Sequence, residues 1–246
     1  HRSREVLLYR QGALNIVVNA HGEGARPQGD GLAAQPRLHA IALRVRDAQA
    51  AFAHLLEQGA WAVSSHSKVM EMNIPAIRGV GGSRIYLVDR YREFSIYDVD
   101  FVRLPGVEPQ PAPVADMRFF GVVQYIGPWR MDDWAEFYRV MFGAEKIPDT
   151  SRFGIMPAGS LLQLPALTPG QEFMIQLVEP SIDSLDTSEQ LQRIGLGVGD
   201  VGEAVRSLRA LGMDFVETPS THTETRGALT KTYLDSVAFE LVRRSS

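Results

Sequence analysis

Glu240 lies in the run Ser236-Val237-Ala238-Phe239-Glu240-Leu241-Val242, between two large apolar residues and among good strand formers. An ionised carboxylate in a buried strand is costly unless a cation meets it. Its partner therefore decides the chemistry: a metal ion, an arginine, or water at a sheet edge. Arg193, Gln124 and Gln176 are further polar residues in apolar runs of the same half. Arginine is a permanent cation with a planar fork of donors that fits carboxylates, and it cannot ligate a metal. A glutamine amide is a weak oxygen ligand, although core hydrogen bonding is its commoner role in a strand. The six histidines are His1, His21, His39, His54, His66 and His222, and none falls in a strand run of the second half. His66 and His222 read as solvated loop residues. No Ser-His-Asp pattern or Walker signature is present, and no catalytic residue is assigned.

The elements that would position these groups follow from turn and cap signals. Val6 to Tyr9 and Leu14 to Val18 read as two strands joined at Gln11-Gly12. His21 to Pro36 reads as a loop, and Ile41 to Val45 as a strand. Asp47 is the expected N-cap of a helix over Ala48 to Gln58, stopped by Gly59. Strands follow at Ile74 to Ile77 and Arg84 to Val88. Between them, Gly79-Val80-Gly81-Gly82 reads as a turn, since no helix follows to make it a phosphate loop. In the second half the expectations are a strand over Phe119 to Ile126 and a helix from Asp132 or Asp133 to Phe142, ended by Gly143. Further strands are expected near Leu161 to Leu164 and Phe173 to Val178, with a surface connection over Ser181 to Glu189. The aromatic residues Phe119, Phe120, Tyr125, Trp129, Trp134, Phe137 and Tyr138 could line a pocket, although their spacing fits helix-on-sheet packing.

A repeat underlies this order. Ile41 to Val63 aligns without a gap on Ile194 to Val216, with Asp47/Asp200, Leu55/Leu208 and Gly59/Gly212 among the identical pairs. Carried forward at the same spacing, the alignment puts Ser83 opposite Ser236 and Leu87 opposite Glu240. Ala40 stands opposite Arg193. The first half is apolar where the second is charged, so one half reads as structural and the other as site-bearing. The expected fold is α+β, with a barrel over residues 1–103, a proline-rich linker over 104–115 and a second barrel over 116–246.

The totals limit the function classes. The 246 residues are 45% hydrophobic and 22% charged, an ordinary globular composition. A net charge of -4 argues against nucleic acid, and no apolar run nears the roughly 20 residues needed to span a bilayer. The absence of cysteine excludes disulfides and thiolate metal sites and fits a cytoplasmic protein. The chain opens at His1, so its biological start is expected to lie upstream.

Val6 to Asn19, Leu43 to Asp47, Asn73 to Tyr91 and Ser95 to Phe101 closely resemble bacterial 4-hydroxyphenylpyruvate dioxygenase, of the vicinal oxygen chelate superfamily. The chain is also similar to the related domain fused to some bacterial 3-dehydroshikimate dehydratases. The resemblance covers nearly the whole chain and is looser in the second half, where Arg130-Met131 with Trp134 to Phe142 carries it. It implies tandem βαβββ modules forming two open β-barrels with helices outside, and a role in aromatic amino acid catabolism. It also implies Fe(II) held by two histidines and a glutamate, with open positions for a 2-oxo acid and dioxygen. Measured against the family, the chain begins in the third strand of its first module and ends before a closing helix.

The glutamate falls on Glu240. The two histidine positions fall on Arg193 and Gly121, and the polar substrate contacts on Met156-Pro157-Ala158 and Val178-Glu179. Two of three iron ligands are thus missing, so no cofactor is expected and the family's first-choice chemistry should fail. Arg193 is expected to supply the positive charge that a metal would bring to Glu240; a sheet-edge pair or a genuine metal are the alternatives. Arg193, Gln124 and Gln176 are the candidate contacts for an aromatic or 2-oxo acid, in a homo-oligomer. Placing histidines at 121 and 193 should restore a metal site.

Overall fold

The computed structural model describes residues 1, 5–19, 36–64, 73–92, 94–149, 159–168, 171–180, 187–217, 222–223, 227–234 and 236–244. Within it, Asp47 and Asp200 do the same work 153 positions apart. The Asp47 carboxylate accepts from the Ala50 N–H at 2.9 Å, and that of Asp200 from the Glu203 N–H at 2.7 Å. Each satisfies one of the orphan amides at a helix start. The helices are α1 (Ala48–Glu57) and α4 (Val201–Ala210), ended by Gly59 at φ +94° and Gly212 at φ +91°. Two more helices are α2 (Ile96–Asp100), over a stretch known only as a family motif, and α3 (Met131–Phe142), closed by Gly143 at φ +65°.

In the N-terminal half, β1 (Val6–Gln11) and β2 (Leu14–Asn19) form an antiparallel hairpin about Gly12. A three-stranded sheet follows, in which β5 (Arg84–Val88) runs parallel to β3 (Ala40–Arg44) and antiparallel to β4 (Ala76–Arg78). The remaining strands are β6 (Arg118–Tyr125), β7 (Glu145–Lys146), β8 (Ser160–Leu164), β9 (Phe173–Val178), β10 (Gln190–Val198), β11 (His222–Thr223), β12 (Gly227–Leu229) and β13 (Ala238–Arg243). They form one eight-stranded sheet in the order β11-β12-β13-β10-β6-β9-β8-β7. The architecture is α+β, as expected. Its pairings among the described residues leave β11 and β7 as outer strands, so no closed barrel forms.

Two corrections concern the last strands. Position 222 lies on β11, paired at Ala228, and not in a loop. The repeat also gains one residue before β13. The bridges Ala62↔Ile77 and Phe215↔Thr230 keep the spacing of 153. Beyond them, Arg44 pairs with Val88 in the first half and Gly197 with Val242 in the second. The five residues between Arg78 and Arg84 correspond to the six between Lys231 and Ala238. Glu240 therefore stands where the first half has Tyr86, and Leu241 takes the place of Leu87. Buried Leu241 and Leu87 match, as core alternation requires.

The two apolar clusters cross the chain's halves. One joins Ile41, Leu55, Ile77, Val80, Ile85 and Leu87 to Val122, Ile126, Tyr138, Leu162, Ile175 and Leu177. The other sets Leu14 of the hairpin against Leu196, Val198, Val205, Leu208 and Leu241. The proline-rich stretch packs back on the hairpin: Gly12 N–H donates to the Pro111 carbonyl at 2.9 Å and Val114 N–H to the Gln11 amide oxygen at 3.1 Å. Gly79 to Gly82 forms the expected turn, one 3-10 turn over Val80–Gly82. Its Gly81, at φ +62°, lies so near the Glu189 backbone that a Cβ would sit 2.0 Å from the Glu189 carbonyl oxygen. No helix among the described residues is long and apolar enough to cross a membrane.

Candidate functional site

Strand register places Arg193, Glu240 and Gln176 on one face of the large sheet. Arg193 of β10 pairs with Ala238 of β13 on one side and Val123 of β6 on the other, and Val123 pairs with Gln176 of β9. The next row on that face runs Glu240, Gly195, Gly121, Met174 across the same four strands. Arg193 and Glu240 are thus diagonal neighbours, two residues apart on adjacent parallel strands. The β10–β6 ladder shifts register between Leu191 and Arg193 and again between Gly195 and Leu196. Irregularities of this kind redirect side chains, and these two bracket Arg193.

The guanidinium and the carboxylate face each other in a dry setting. Arg193 Nη1 lies 3.6 Å from Glu240 Oε2, and each side chain is 4% exposed. Arg193 Nε donates to the Gln192 side-chain oxygen at 2.8 Å. Nη1 is buried with no hydrogen-bond acceptor. The distance is within ion-pair range but beyond a hydrogen bond, so the two groups neutralise each other while a donor stays open. A sheet-edge pair in water is overturned by this burial.

Gly121 and Gly195 face each other across β6 and β10, and their missing side chains let the two strands run close beside the ion pair. A Cβ at Gly195 would lie 3.4 Å from the Gly121 carbonyl oxygen. A Cβ at Gly121 would lie 2.1 Å from the Met174 carbonyl oxygen, which is backbone and cannot swing aside. The expected restoration of a metal site by histidine at 121 therefore fails on this backbone: β6 and β9 would have to part.

The Fe(II) that the family implies does not fit these residues. A non-haem iron centre of this type needs two imidazoles and a carboxylate on one side of the metal. Here the donor set is one carboxylate, Glu240, with the Arg193 guanidinium beside it and no room for a side chain at Gly121. Among the described residues no group of three or more His, Asp or Glu side chains is placed to hold a metal.

Gln124 belongs elsewhere. It is fully buried on the helix side of β6, where its Oε1 accepts from the Tyr138 hydroxyl at 2.8 Å. Burial pushes the Tyr138 phenol well above its ordinary value, with the Gln124 bond opposing it. Gln124 is thus a core partner of α3 and is removed from the substrate-binding candidates. Gln176, half-buried, shares the row of Arg193. The aromatic residues split in the same way. Trp134, Phe137, Tyr138 and Phe142 pack edge-to-face or tilted against one another on α3, and Trp129 is 84% exposed. The four α3 aromatics form helix-on-sheet core. His21, His66 and Met156-Pro157-Ala158 lie outside the described residues.

Two glutamates to which the sequence assigned no such role organise the start of α3. Glu189 Oε1 accepts from Gly127 N–H at 3.1 Å and Trp134 Nε1 at 2.8 Å, with Arg130 Nη1 at 3.7 Å. Glu179 Oε1 accepts from Met131 N–H at 3.0 Å. Both are stabilising at the positive end of a helix.

Comparison with known proteins bears on what this face descends from. The family profile described as hydroxyphenylpyruvate dioxygenase, HPPD, N-terminal, matches residues 1–102. Over 232 residues the chain is 33% identical to 4-hydroxyphenylpyruvate dioxygenase of Pseudomonas aeruginosa, covering 91% of the chain and 64% of that protein. The chain is a relative of the 4-hydroxyphenylpyruvate dioxygenases. Hemolysin VllY of Vibrio vulnificus is another relative, 34% identical over 238 residues, with 90% of the chain and 64% of the relative covered. This dioxygenase-like chain thus spans less than two thirds of the length of the curated relatives it matches. A 3-dehydroshikimate dehydratase of Pseudomonas aeruginosa is 32% identical, over 89% of the chain and 35% of that enzyme. Among solved structures, a xylose isomerase-like TIM barrel/4-hydroxyphenylpyruvate dioxygenase fusion protein shares the fold. Its TM-score is 0.70 at 21% identity, over 100% of this chain and 44% of that one. A variant of 4-hydroxymandelate synthase from Streptomyces coelicolor does so with TM-score 0.68 at 17% identity, over 98% and 80%.

Proposed function

We propose that this chain is a dioxygenase-family protein that has exchanged its iron centre for an internal ion pair and does not carry out Fe(II)-dependent oxygenation. One observation carries the reading: Arg193 Nη1 stands 3.6 Å from Glu240 with both side chains buried. A guanidinium at a ligand position has no lone pair to give and repels an incoming cation. In this reading the eight-stranded sheet is the site-bearing barrel wall, and the protein is a cytoplasmic homo-oligomer. Oxygen uptake with 4-hydroxyphenylpyruvate and added Fe(II) tests it. The expected result is no consumption above the protein-free rate; turnover that Glu240→Gln abolishes overturns it.

A second reading keeps a ligand at the same face. The open donor on Arg193 Nη1 favours it, because a buried donor left without an acceptor costs about 1–3 kcal/mol. A carboxylate of an aromatic or 2-oxo acid would supply that acceptor through a charge-assisted bond, with Gln176 in the same row. Thermal-shift titration with phenylpyruvate and 4-hydroxyphenylpyruvate tests this, stabilisation being lost in Arg193→Met. A third reading, a non-catalytic partner region of a longer chain, draws on the 35% share of the dehydratase relative that the match covers. Absence of both responses from a stable dimer supports it.

A further inference from the structure

Away from the Arg193 face, where the parallel strands β3 and β5 end, the chain forms a cavity of about 400 Å3 lined by Arg46, Asp89, Arg90, Tyr91, Arg92 and Leu167 with Thr168. Residues of both halves contribute: Arg46 and Asp89 to Arg92 from the first, Leu167 and Thr168 from the connection between β8 and β9. Three arginines and one aspartate line it, a formal surplus of two positive charges in a chain whose net charge is -4. We propose that this cavity binds a small dianionic oxyanion ligand, a phosphate monoester or a dicarboxylate, and is separate from the Arg193–Glu240 face.

The single carboxylate forms no ion pair with these arginines. Asp89 Oδ2 accepts from the Ala48 N–H at 3.0 Å, which commits it to the first turn of α1. Among the described residues no carboxylate forms an ion pair with Arg46, Arg90 or Arg92. Like charges gathered without counterions repel one another, so an anion that satisfies them gains from all three. The arrangement is also partly preorganised. The Arg92 guanidinium lies 5.9 Å from the Tyr91 ring centroid and that of Arg44 lies 5.0 Å from the same ring. Stacking of this kind limits side-chain freedom before a ligand arrives and leaves the edge of the guanidinium free for bidentate contact. Thr168 adds a hydroxyl, and the exposed Leu167 an apolar wall. A concave site of this volume suits a small metabolite better than an extended polyanion.

The test uses the full chain and defined probes. Inorganic phosphate and malonate are titrated separately at pH 8 by isothermal calorimetry, with sodium chloride at matched ionic strength as the reference. The expected result is saturable binding of one anion per chain, weakened at least tenfold in the Arg46→Ser/Arg92→Ser double variant and unchanged in Arg118→Ser, an exposed arginine outside the cavity lining. Both arginines are exposed, so an unaltered melting temperature verifies that the double variant folds. Binding of phosphate alone assigns a phosphate monoester, and binding of malonate alone a dicarboxylate. Three results overturn the proposal: no saturable binding of either probe, binding retained in the double variant, or binding only of a long polyanion such as heparin. Binding retained in the double variant would place the ligand on another face, which separates failure here from failure of the carboxylate reading above.

Discussion

Arg193 and Glu240 are buried partners on adjacent parallel strands, 3.6 Å apart at Nη1 and Oε2. Burying an ion pair brings little net stability, but removing one partner strands the other charge, at roughly 3–5 kcal/mol. Arg193→Met and Glu240→Gln are each expected to destabilise the fold by that order in urea denaturation. The double variant should recover much of the loss, because neither charge is then left alone. Additive losses in the double-mutant cycle would show that the two groups do not depend on each other.

Gly121→His is expected to lower stability, with or without Arg193→His. The new Cβ would meet the Met174 carbonyl at 2.1 Å, and forced overpacking costs about 1–3 kcal/mol. The thermal midpoint of the purified variant checks this. A midpoint equal to that of the unaltered chain would mean that β6 and β9 part freely there.

Gly81→Ala should be damaging as well. Left-handed backbone costs a residue with a Cβ roughly 1–2 kcal/mol, and here the methyl would also press on the Glu189 carbonyl. Because that contact joins the 3-10 turn to the start of β10, hydrogen exchange should accelerate in both. Faster exchange in the turn alone would confine the effect to local strain.

Tyr138 makes stability depend on alkaline pH. Its phenol titrates near 10 when unfolded, and burial raises it in the native state. The unfolded chain therefore loses its proton first. The contribution is complete below about pH 10 and is lost as pH rises from there towards the raised native value. Tyr138→Phe should flatten that part of the stability profile. At neutral pH it should cost about 1–3 kcal/mol, because the buried Gln124 oxygen loses its donor. Chemical denaturation at pH 8 and pH 11 measures both effects.

Local signals in the chain carried the fold a long way. Asp47 and Asp200 announce their helices, Gly143 ends α3 at the expected residue, and the 23-residue repeat anticipates that β3 and β10 play the same part. The opposition of Arg193 and Glu240 was legible because buried charges need partners. What depends on distant backbone was not. Glu189 looks like a surface residue until its contacts to Gly127 and Trp134, more than fifty positions away, are seen. Gln124 could face either side of β6 until α3 is packed. The additional residue before β13 slips the repeat by one and replaces Leu87 with Tyr86 opposite Glu240, a shift that no short-range signal marks. The close approach at Gly121 likewise belongs to the β6–β9 pairing and not to any local pattern.

The most direct test is anaerobic titration of Fe(II) into the unaltered chain, followed by calorimetry and repeated on Glu240→Gln. The ion-pair account predicts no saturable site in either protein. One iron bound per chain, and lost when Glu240 becomes glutamine, would contradict it.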